Sequence, residues 1–487
     1  MLRRTKIVAT LGPATDSPEA LDKLIEAGID VVRLNFSHGS EEEHLNRAET
    51  VRNRARAHGR QVGVMADLQG PKIRIGKFVG GKIQLAEGDA FCIDMGMEID
   101  AGTQEAVGTT YKELHNDLSR GDSLLLDDGR IVLWVRDVDG NKVNCRVTVG
   151  GALSNNKGIN LQGGGLSAAA LTDKDRADIL IAAKMQADYV AVSFVRSAED
   201  VREARKLLID AGWGECGIVS KMERAEAIPV ADEIIAESDG IMVARGDLGV
   251  EIGDASLPPV QKRLIKLARS MDRFAITATQ MMESMIENPI PTRAEVFDVA
   301  NAVLDGTDAV MLSGETAVGK YPEKVVEAMS NICIEAEQQR AAKVSGHRMN
   351  EHFRRRDEAI AMAAMYTANH LGVKAIASLT ESGHTALWMS RISSGIPIFA
   401  MTRNLQTRRK VTMYRGVYPV SFDLTDKSKG EINQEMIDEL VRRGVVRTKD
   451  TVILTKGDLV GEGGGTNTMK ICRVGSMSAD DLDAESS

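Results

Sequence analysis

Eight apolar, strand-like runs, nearly all ending in polar or charged residues, constrain this chain more than any other feature. Three precede residue 70: Thr5 to Leu11, Ile29 to Phe36 and Val62 to Leu68. Five follow residue 185: Tyr189 to Val195, Gly217 to Met222, Gly240 to Ala244, Phe274 to Thr279 and Ala309 to Leu312. Helical stretches separate them, one opening at Asp16-Ser17-Pro18 and another at Thr292-Arg293-Ala294-Glu295, which has the spacing of a capping box. Eight βα units over roughly 250 residues predict a closed (β/α)8 TIM barrel, whose ligand site lies beyond the carboxyl ends of the strands. A doubly wound open sheet is the competing α/β architecture, but it would gather polar residues at one switch point rather than at nearly every strand end.

The rhythm breaks once. From Pro71 to about Gly165 the chain carries short β-rich stretches and glycine turns, such as Asp127-Asp128-Gly129-Arg130, without a long amphipathic helix. This predicts a barrel of residues 1–70 and 166–345 with a small β-barrel lid domain, 71–165, inserted in it. Gly70-Pro71 and Gly163-Gly164-Gly165 would serve as its hinges. A C-terminal α/β domain is expected over 346–477, with strands at Val373 to Ala377, Ile396 to Met401 and Thr451 to Leu454 and a helix from about Lys429 to Arg443. The acidic segment 478–487 reads as a flexible tail.

Composition removes several function classes. The 487 residues carry a formal charge of −9, which disfavours a nucleic-acid polymer as partner. Five scattered cysteines show neither metal-ligand spacing nor a disulfide pattern, which fits a reducing compartment. No apolar run reaches the roughly 18 residues of a membrane span, and the chain begins almost directly with a strand, so a cytoplasmic protein is expected.

The strand ends carry the chemistry. Lys221-Met222-Glu223 closes one run and Arg245-Gly246-Asp247 follows the next, so a lysine and two carboxylates can converge on a metal and an anionic substrate. Arg33, Asn35 and Ser37 alternate at the second strand end and therefore share a face. Asp67 ends the third run, and Arg74 follows closely enough to share the mouth with Arg33. Two arginines suit phosphate or carboxylate groups.

With these residues in place, the sequence resembles the pyruvate kinase family. The matching segments are Val32-Arg33-Leu34-Asn35-Phe36-Ser37-His38-Gly39, Asp67-Leu68-Gln69-Gly70-Pro71-Lys72-Ile73-Arg74, Lys221-Met222-Glu223, Met242 to Gly249, Ala278-Thr279-Gln280-Met281 and Leu312-Ser313-Gly314-Glu315-Thr316. The resemblance implies phosphoryl transfer from phosphoenolpyruvate to ADP, yielding ATP and pyruvate. It makes Glu223 and Asp247 ligands of Mg2+, with Mn2+ a substitute, and sets Lys221 against the transferring phosphoryl group and the developing enolate. Arg33 and Arg74 would bracket the phosphoryl group, and Gly246, Asp247 and Thr279 would contact substrate. Thr279 would lie beside the carbon to be protonated, with Ser313 and Glu315 organising a proton-delivering water chain. Nucleotide contacts would come from Asn35, His38, Arg74 and Lys157. Arg245 is left open between a substrate role and an ion pair that orients Asp247.

Asn35, Ser37, Asp67 and the carbonyl of Leu68 match a family site that often holds K+. Members that need the ion commonly carry glutamate where this chain has Lys72 and threonine where it has Leu68. The Lys72 ammonium is therefore expected to replace K+, unless it points outward. Thr380, Ser382, Gly383, His384 and Thr385 form a candidate phosphate nest for a phosphorylated sugar or nucleotide effector, and Gly461 to Thr466 a second loop that closes over it. The resemblance also implies a homotetramer. A metal-dependent barrel lyase or aldolase and a catalytically inactive metabolite sensor are the competing functions.

Overall fold

Alternation within the strands decides how they assemble. Ile7, Ala9, Val32 and Val64 pack with helix residues such as Leu21 and Leu24, whereas Val8, Val31, Met65 and Tyr189 belong to a separate core inside the ring. In the computed structural model, which describes residues 2–343, 352–423, 429–457 and 465–475, eight parallel strands close into a barrel. They are Lys6–Thr10, Val31–Asn35, Gly63–Asp67, Tyr189–Val192, Gly217–Met222, Gly240–Ala244, Phe274–Ala278 and Ala309–Leu312. Each pairs with its successor, and the eighth pairs with the first, which excludes the open sheet. Ser17 caps Pro18–Ala27, and the Thr292–Glu295 capping box starts Arg293–Asp305, as the sequence predicts.

Two strands stop earlier than their apolar runs. The fourth ends before Phe194 (φ 54°) and the seventh before Thr279 (φ 68°), and both residues bend the chain at the barrel mouth. Positive φ is unusual for any side chain and strained for a β-branched one.

The insertion is a six-stranded sheet and a two-stranded ribbon, Lys82–Leu85 with Gly151–Ser154, around one apolar core. Its ladders do not close into a ring, so the small barrel expected from the sequence takes this two-sheet form among the described residues. Its only helix, Leu114–Asp117, has 4 residues. The chain enters through Gly70 (φ 67°) and leaves through three successive glycines at positive φ, Gly163 to Gly165.

The C-terminal sheet runs Val417–Ser421, Ile398–Thr402, Ala375–Leu379, Thr451–Gly457, Thr466–Arg473, with the last strand antiparallel. Its two edge strands were not expected. Pro419 interrupts one, which is tolerable only at an edge, and the other is mostly polar. The helix Lys429–Arg442 is present. Residues 461–464 of the predicted glycine loop and the tail 478–487 lie outside the described residues.

This domain closes the barrel's amino end. Met413 and Tyr414 join the barrel's inner core, Tyr189 Oη donates to the Lys410 carbonyl at 2.6 Å, and Arg391 forms a fully buried ion pair with Asp308. The opposite mouth stays open beneath the insertion. No helix among the described residues is long and apolar enough to cross a membrane.

Candidate active site

Strand ends that the sequence places hundreds of residues apart line one cavity of about 120 Å³. Arg33 and Asn35 reach it from the second strand, with Ser37 just beyond. Asp67 and Leu68 come from the third, Lys221 and Glu223 from the fifth, Asp247 from beyond the sixth, Thr279 from the seventh and Ser313 from the eighth. Lys72 lines it too, an exposed residue whose ammonium feels the charges of Arg74, Asp247, Lys221 and Glu223.

Lys221 is the hub. Its Nζ lies 2.8 Å from Glu223 Oε1 and 3.3 Å from Asp67 Oδ1, and it donates to Ser193 Oγ at 2.8 Å. Arg33 Nε donates to Asp67 Oδ2 at 2.5 Å. The Asp67 and Glu223 side chains are only 1% exposed, so these charges meet with little solvent screening. Burial opposes ionisation of Asp67, but Lys221 and Arg33 outweigh it and hold the carboxyl below its usual range. Burial also disfavours charge on Lys221, yet Asp67 and Glu223 raise its pKa and keep the ammonium. Glu223 goes the other way: burial pushes it up, Lys221 pulls it down and the like charge of Asp247 pushes it up again.

Two carboxylates that repel one another at the mouth of a cavity are suited to a divalent cation, and both present hard oxygen donors. No cluster of three or more acidic, His or Cys side chains able to hold a metal occurs among the described residues. An ion there would take the rest of its shell from substrate and water, the usual arrangement for Mg2+.

Other predicted residues lie elsewhere. Arg74 and Lys157 line a separate cavity of about 250 Å³ between insertion and barrel, which shares Lys72, Phe194 and Asp247 with the first. Arg74 pairs through its backbone with Gly158 and donates to the Asn156 carbonyl at 2.6 Å, so it follows the insertion rather than Arg33. Lys157 holds Asp127 at 2.7 Å. His38 is exposed and lines neither cavity, so the four nucleotide residues expected from the sequence are not gathered in one place. Arg245 pairs with Asp298 at 2.7 Å and donates to the Thr279 carbonyl, not to Asp247, which corrects the ion pair considered from sequence. Gly246 N donates to Thr279 Oγ1 at 2.9 Å, placing those two side by side. Glu315 is buried outside the cavity lining, its two carboxylate oxygens accepting from Ser313 N and Met282 N; it braces Ser313 rather than facing the cavity.

In the C-terminal domain the predicted nest is one turn before the helix His384–Ser390, with Gly383 at φ 83°. Thr380 Oγ1 accepts from Gly383 N, Ser382 Oγ contacts His384 Nδ1, and Thr385 Oγ1 contacts Thr466 Oγ1, each at 2.9 Å.

Sequence reasoning passed over Ser193, Phe194, Arg224 and Glu251. Ser193-Phe194 sits where the fourth strand should end in polar residues, and that position was the available signal. Glu251 Oε2 accepts from Ala225 N at 2.7 Å, while its carbonyl accepts from Gly163 N where the chain leaves the insertion. Burial pushes its carboxyl up to about 7, with Glu226 adding to the effect and Ala225 N–H, Arg224 and Asn160 opposing it. Because the folded value lies above the ordinary glutamate value of 4.5, stability falls as pH rises from about 4.5 to about 7. Glu251→Gln keeps an acceptor for Ala225 and removes that loss. It should raise unfolding free energy by about 3 kcal/mol at pH 8 and by much less at pH 5, as read by urea denaturation.

A closed (β/α)8 barrel whose mouth joins a mostly buried lysine, an arginine and three carboxylates defines an enzyme that handles an anionic substrate with a divalent metal. The sequence matches the family models for the pyruvate kinase barrel domain over residues 2–326 and the pyruvate kinase alpha/beta domain over 358–472. It is 56% identical to pyruvate kinase II of Salmonella typhimurium, covering 97% of this chain and 99% of that one, and 53% identical to the pyruvate kinase of Haemophilus influenzae, covering 97% and 98%. A crystal structure of a pyruvate kinase from Cryptosporidium parvum superposes with a TM-score of 0.90 at 34% identity, covering 97% of this chain and 96% of that one. The chain belongs to the pyruvate kinase family, in its bacterial type. Its activity is the glycolytic transfer of a phosphoryl group from phosphoenolpyruvate to ADP, giving ATP and pyruvate.

Proposed function

We propose that Glu223 and Asp247 hold Mg2+, or Mn2+ in its place, and that Lys221 and Arg33 carry the phosphoryl transfer itself. The observation behind this reading is the convergence of these four side chains on one cavity. The divalent ion, when bound, neutralises charge on the substrate oxygens. Arg33 clamps the phosphoryl group of phosphoenolpyruvate. As the bond to the enol oxygen breaks and the phosphoryl group passes to the terminal phosphate of ADP, negative charge grows on the enolate, and the Lys221 ammonium stabilises it. Arg74 and Lys157 reach the nucleotide from the insertion, with Asn35 and His38 on the barrel side. Closure at Gly70 and Gly163 to Gly165 brings the two cavities together and excludes water.

Enolpyruvate then takes a proton at its methylene carbon. Thr279, beside Gly246, faces that carbon, and Ser313, held by Glu315, orders the water that supplies the proton.

K+ is not required. Lys72 supplies the positive charge, and three of the oxygens at that site already accept within the protein: Asp67 Oδ2 from Arg33, the Leu68 carbonyl from Ser193 Oγ at 2.7 Å, and Asn35 Oδ1 from Ser37 N at 3.1 Å. Replacing K+ with tetramethylammonium in a phosphoenolpyruvate plus ADP assay should leave turnover intact, whereas Lys72→Glu should create a K+ requirement. Near-total loss of wild-type activity at saturating substrates would contradict the assignment. The protein works in the cytoplasm as a homotetramer, and the turn Thr380 to Thr385 receives a phosphorylated sugar or nucleotide effector.

A further inference from the structure

The turn that ends the fourth barrel strand touches both halves of the Lys221–Glu223 pair, although neither of its residues belongs to the segments that carry the family resemblance. Ser193 is 1% exposed, and its hydroxyl makes two contacts. It donates to the Leu68 carbonyl at 2.7 Å and accepts from Lys221 Nζ at 2.8 Å. A hydroxyl has one proton, and giving it to Leu68 leaves only lone pairs for the lysine. The next residue, Phe194, stands at φ 54°, and its N–H donates to Glu223 Oε2 at 2.8 Å. Non-glycine residues in that region are uncommon and persist when surrounding contacts enforce them. The enforcement is visible at Gly70, where a Cβ would lie 2.8 Å from both Ser193 Cβ and Phe194 Cδ2, so only glycine lets the two strand ends approach this closely.

We propose that Ser193 is a positioning residue for Lys221, a neutral acceptor that aims the ammonium into the cavity without clamping it in a further ion pair. This rests on the role assigned above to Lys221. Lys221 Nζ lies within ion-pair distance of Asp67 and Glu223 and donates its hydrogen bond to Ser193 Oγ. A Glu223 engaged by a divalent ion would loosen its hold on the lysine, and Ser193 would then keep Nζ in place. A carboxylate at position 193 would hold the ammonium too tightly to follow charge as it moves to substrate, and an apolar side chain would leave it unaimed.

The test compares full-length Ser193→Ala, the near-isosteric Ser193→Cys and Lys221→Met with wild type. Steady-state kinetics, melting temperature and calorimetric binding of phosphoenolpyruvate with Mg2+ but without ADP are measured. Loss of an outer hydrogen bond that orients a reacting group typically costs about 10- to 100-fold, and that fall in kcat is expected for Ser193→Ala. Phosphoenolpyruvate affinity and melting temperature should stay near wild type, and Ser193→Cys should lie between. Wild-type kcat in Ser193→Ala with Lys221→Met inactive would overturn this proposal alone. A parallel loss of kcat, substrate affinity and thermal stability in both serine variants would also overturn it, because it would mark a purely structural role. Should Ser193→Ala fail to fold, Ser193→Cys decides: reduced kcat at unchanged melting temperature supports the proposal, and wild-type kcat overturns it. Turnover surviving Lys221→Met would instead overturn the role of the lysine and this proposal with it.

Discussion

Lys221→Met should lower kcat by about 10³-fold, at the upper end of what losing one preorganised electrostatic group costs. Methionine keeps the length and apolar stem of the side chain but removes the ammonium that pairs with both Asp67 and Glu223. Asp67 retains Arg33, so the fold loses one of two counter-charges rather than all of them. Phosphoenolpyruvate binding should weaken far less than turnover, because Arg33 and a bound metal, in the roles proposed for them, would still engage the substrate. No pH change in the ordinary range should imitate the mutation. The folded pKa of Lys221 is raised, so the stability from its ion pairs is fully present below the unfolded value near 10.5 and is lost only as pH climbs through the folded one. Stopped-flow and steady-state kinetics from pH 6 to 9 would check both statements.

The second large effect concerns the carboxylates. Glu223→Gln and Asp247→Asn should each reduce activity by about 10²-fold or more and abolish the rise in melting temperature that Mg2+ or Mn2+ gives the wild type. That rise follows from binding to the folded state alone, amounting to about 2.7 kcal/mol when the ion is at 100 times its dissociation constant. The metal-free comparison separates this from simple damage. Asp247 is a like charge that raises the Glu223 pKa, so Asp247→Asn removes a repulsion and should leave the metal-free protein at least as stable as wild type. Differential scanning fluorimetry with and without Mn2+ reads both. A metal-induced shift that survives in both variants would place the ion elsewhere.

The barrel, the pairing of Lys221 with Glu223 and the convergence of Arg33, Asn35 and Ser37 were legible because all depend on strand periodicity, which side-chain alternation writes directly into sequence. What escaped depends on backbone geometry or on distant partners. Phe194 and Thr279 extend apolar runs, yet both adopt positive φ and end their strands early, and nothing in their residue types announces it. Arg74 lies seven residues beyond Asp67, but Gly70 and Pro71 intervene, so its side chain belongs to the insertion. Arg245 is next to Gly246 in the chain and pairs with Asp298, 53 residues away. The resemblance implies that Glu315 helps organise a proton-delivering water chain, whereas its oxygens are taken by two backbone N–H groups. The edge strand holding Pro419 was missed because proline argues against a strand unless its edge position is known.

One barrel mouth, built on Lys221, Glu223, Asp247 and Arg33, is proposed to move the phosphoryl group from phosphoenolpyruvate to ADP. The measurement that bears on this most directly counts both products, ATP and pyruvate, from purified wild-type and Lys221→Met proteins given phosphoenolpyruvate, ADP and Mg2+ in K+-free buffer. Equal amounts of ATP and pyruvate from wild type, with both nearly absent from the variant, are predicted. Pyruvate formed without ATP, or both products formed at the wild-type rate by Lys221→Met, would contradict it.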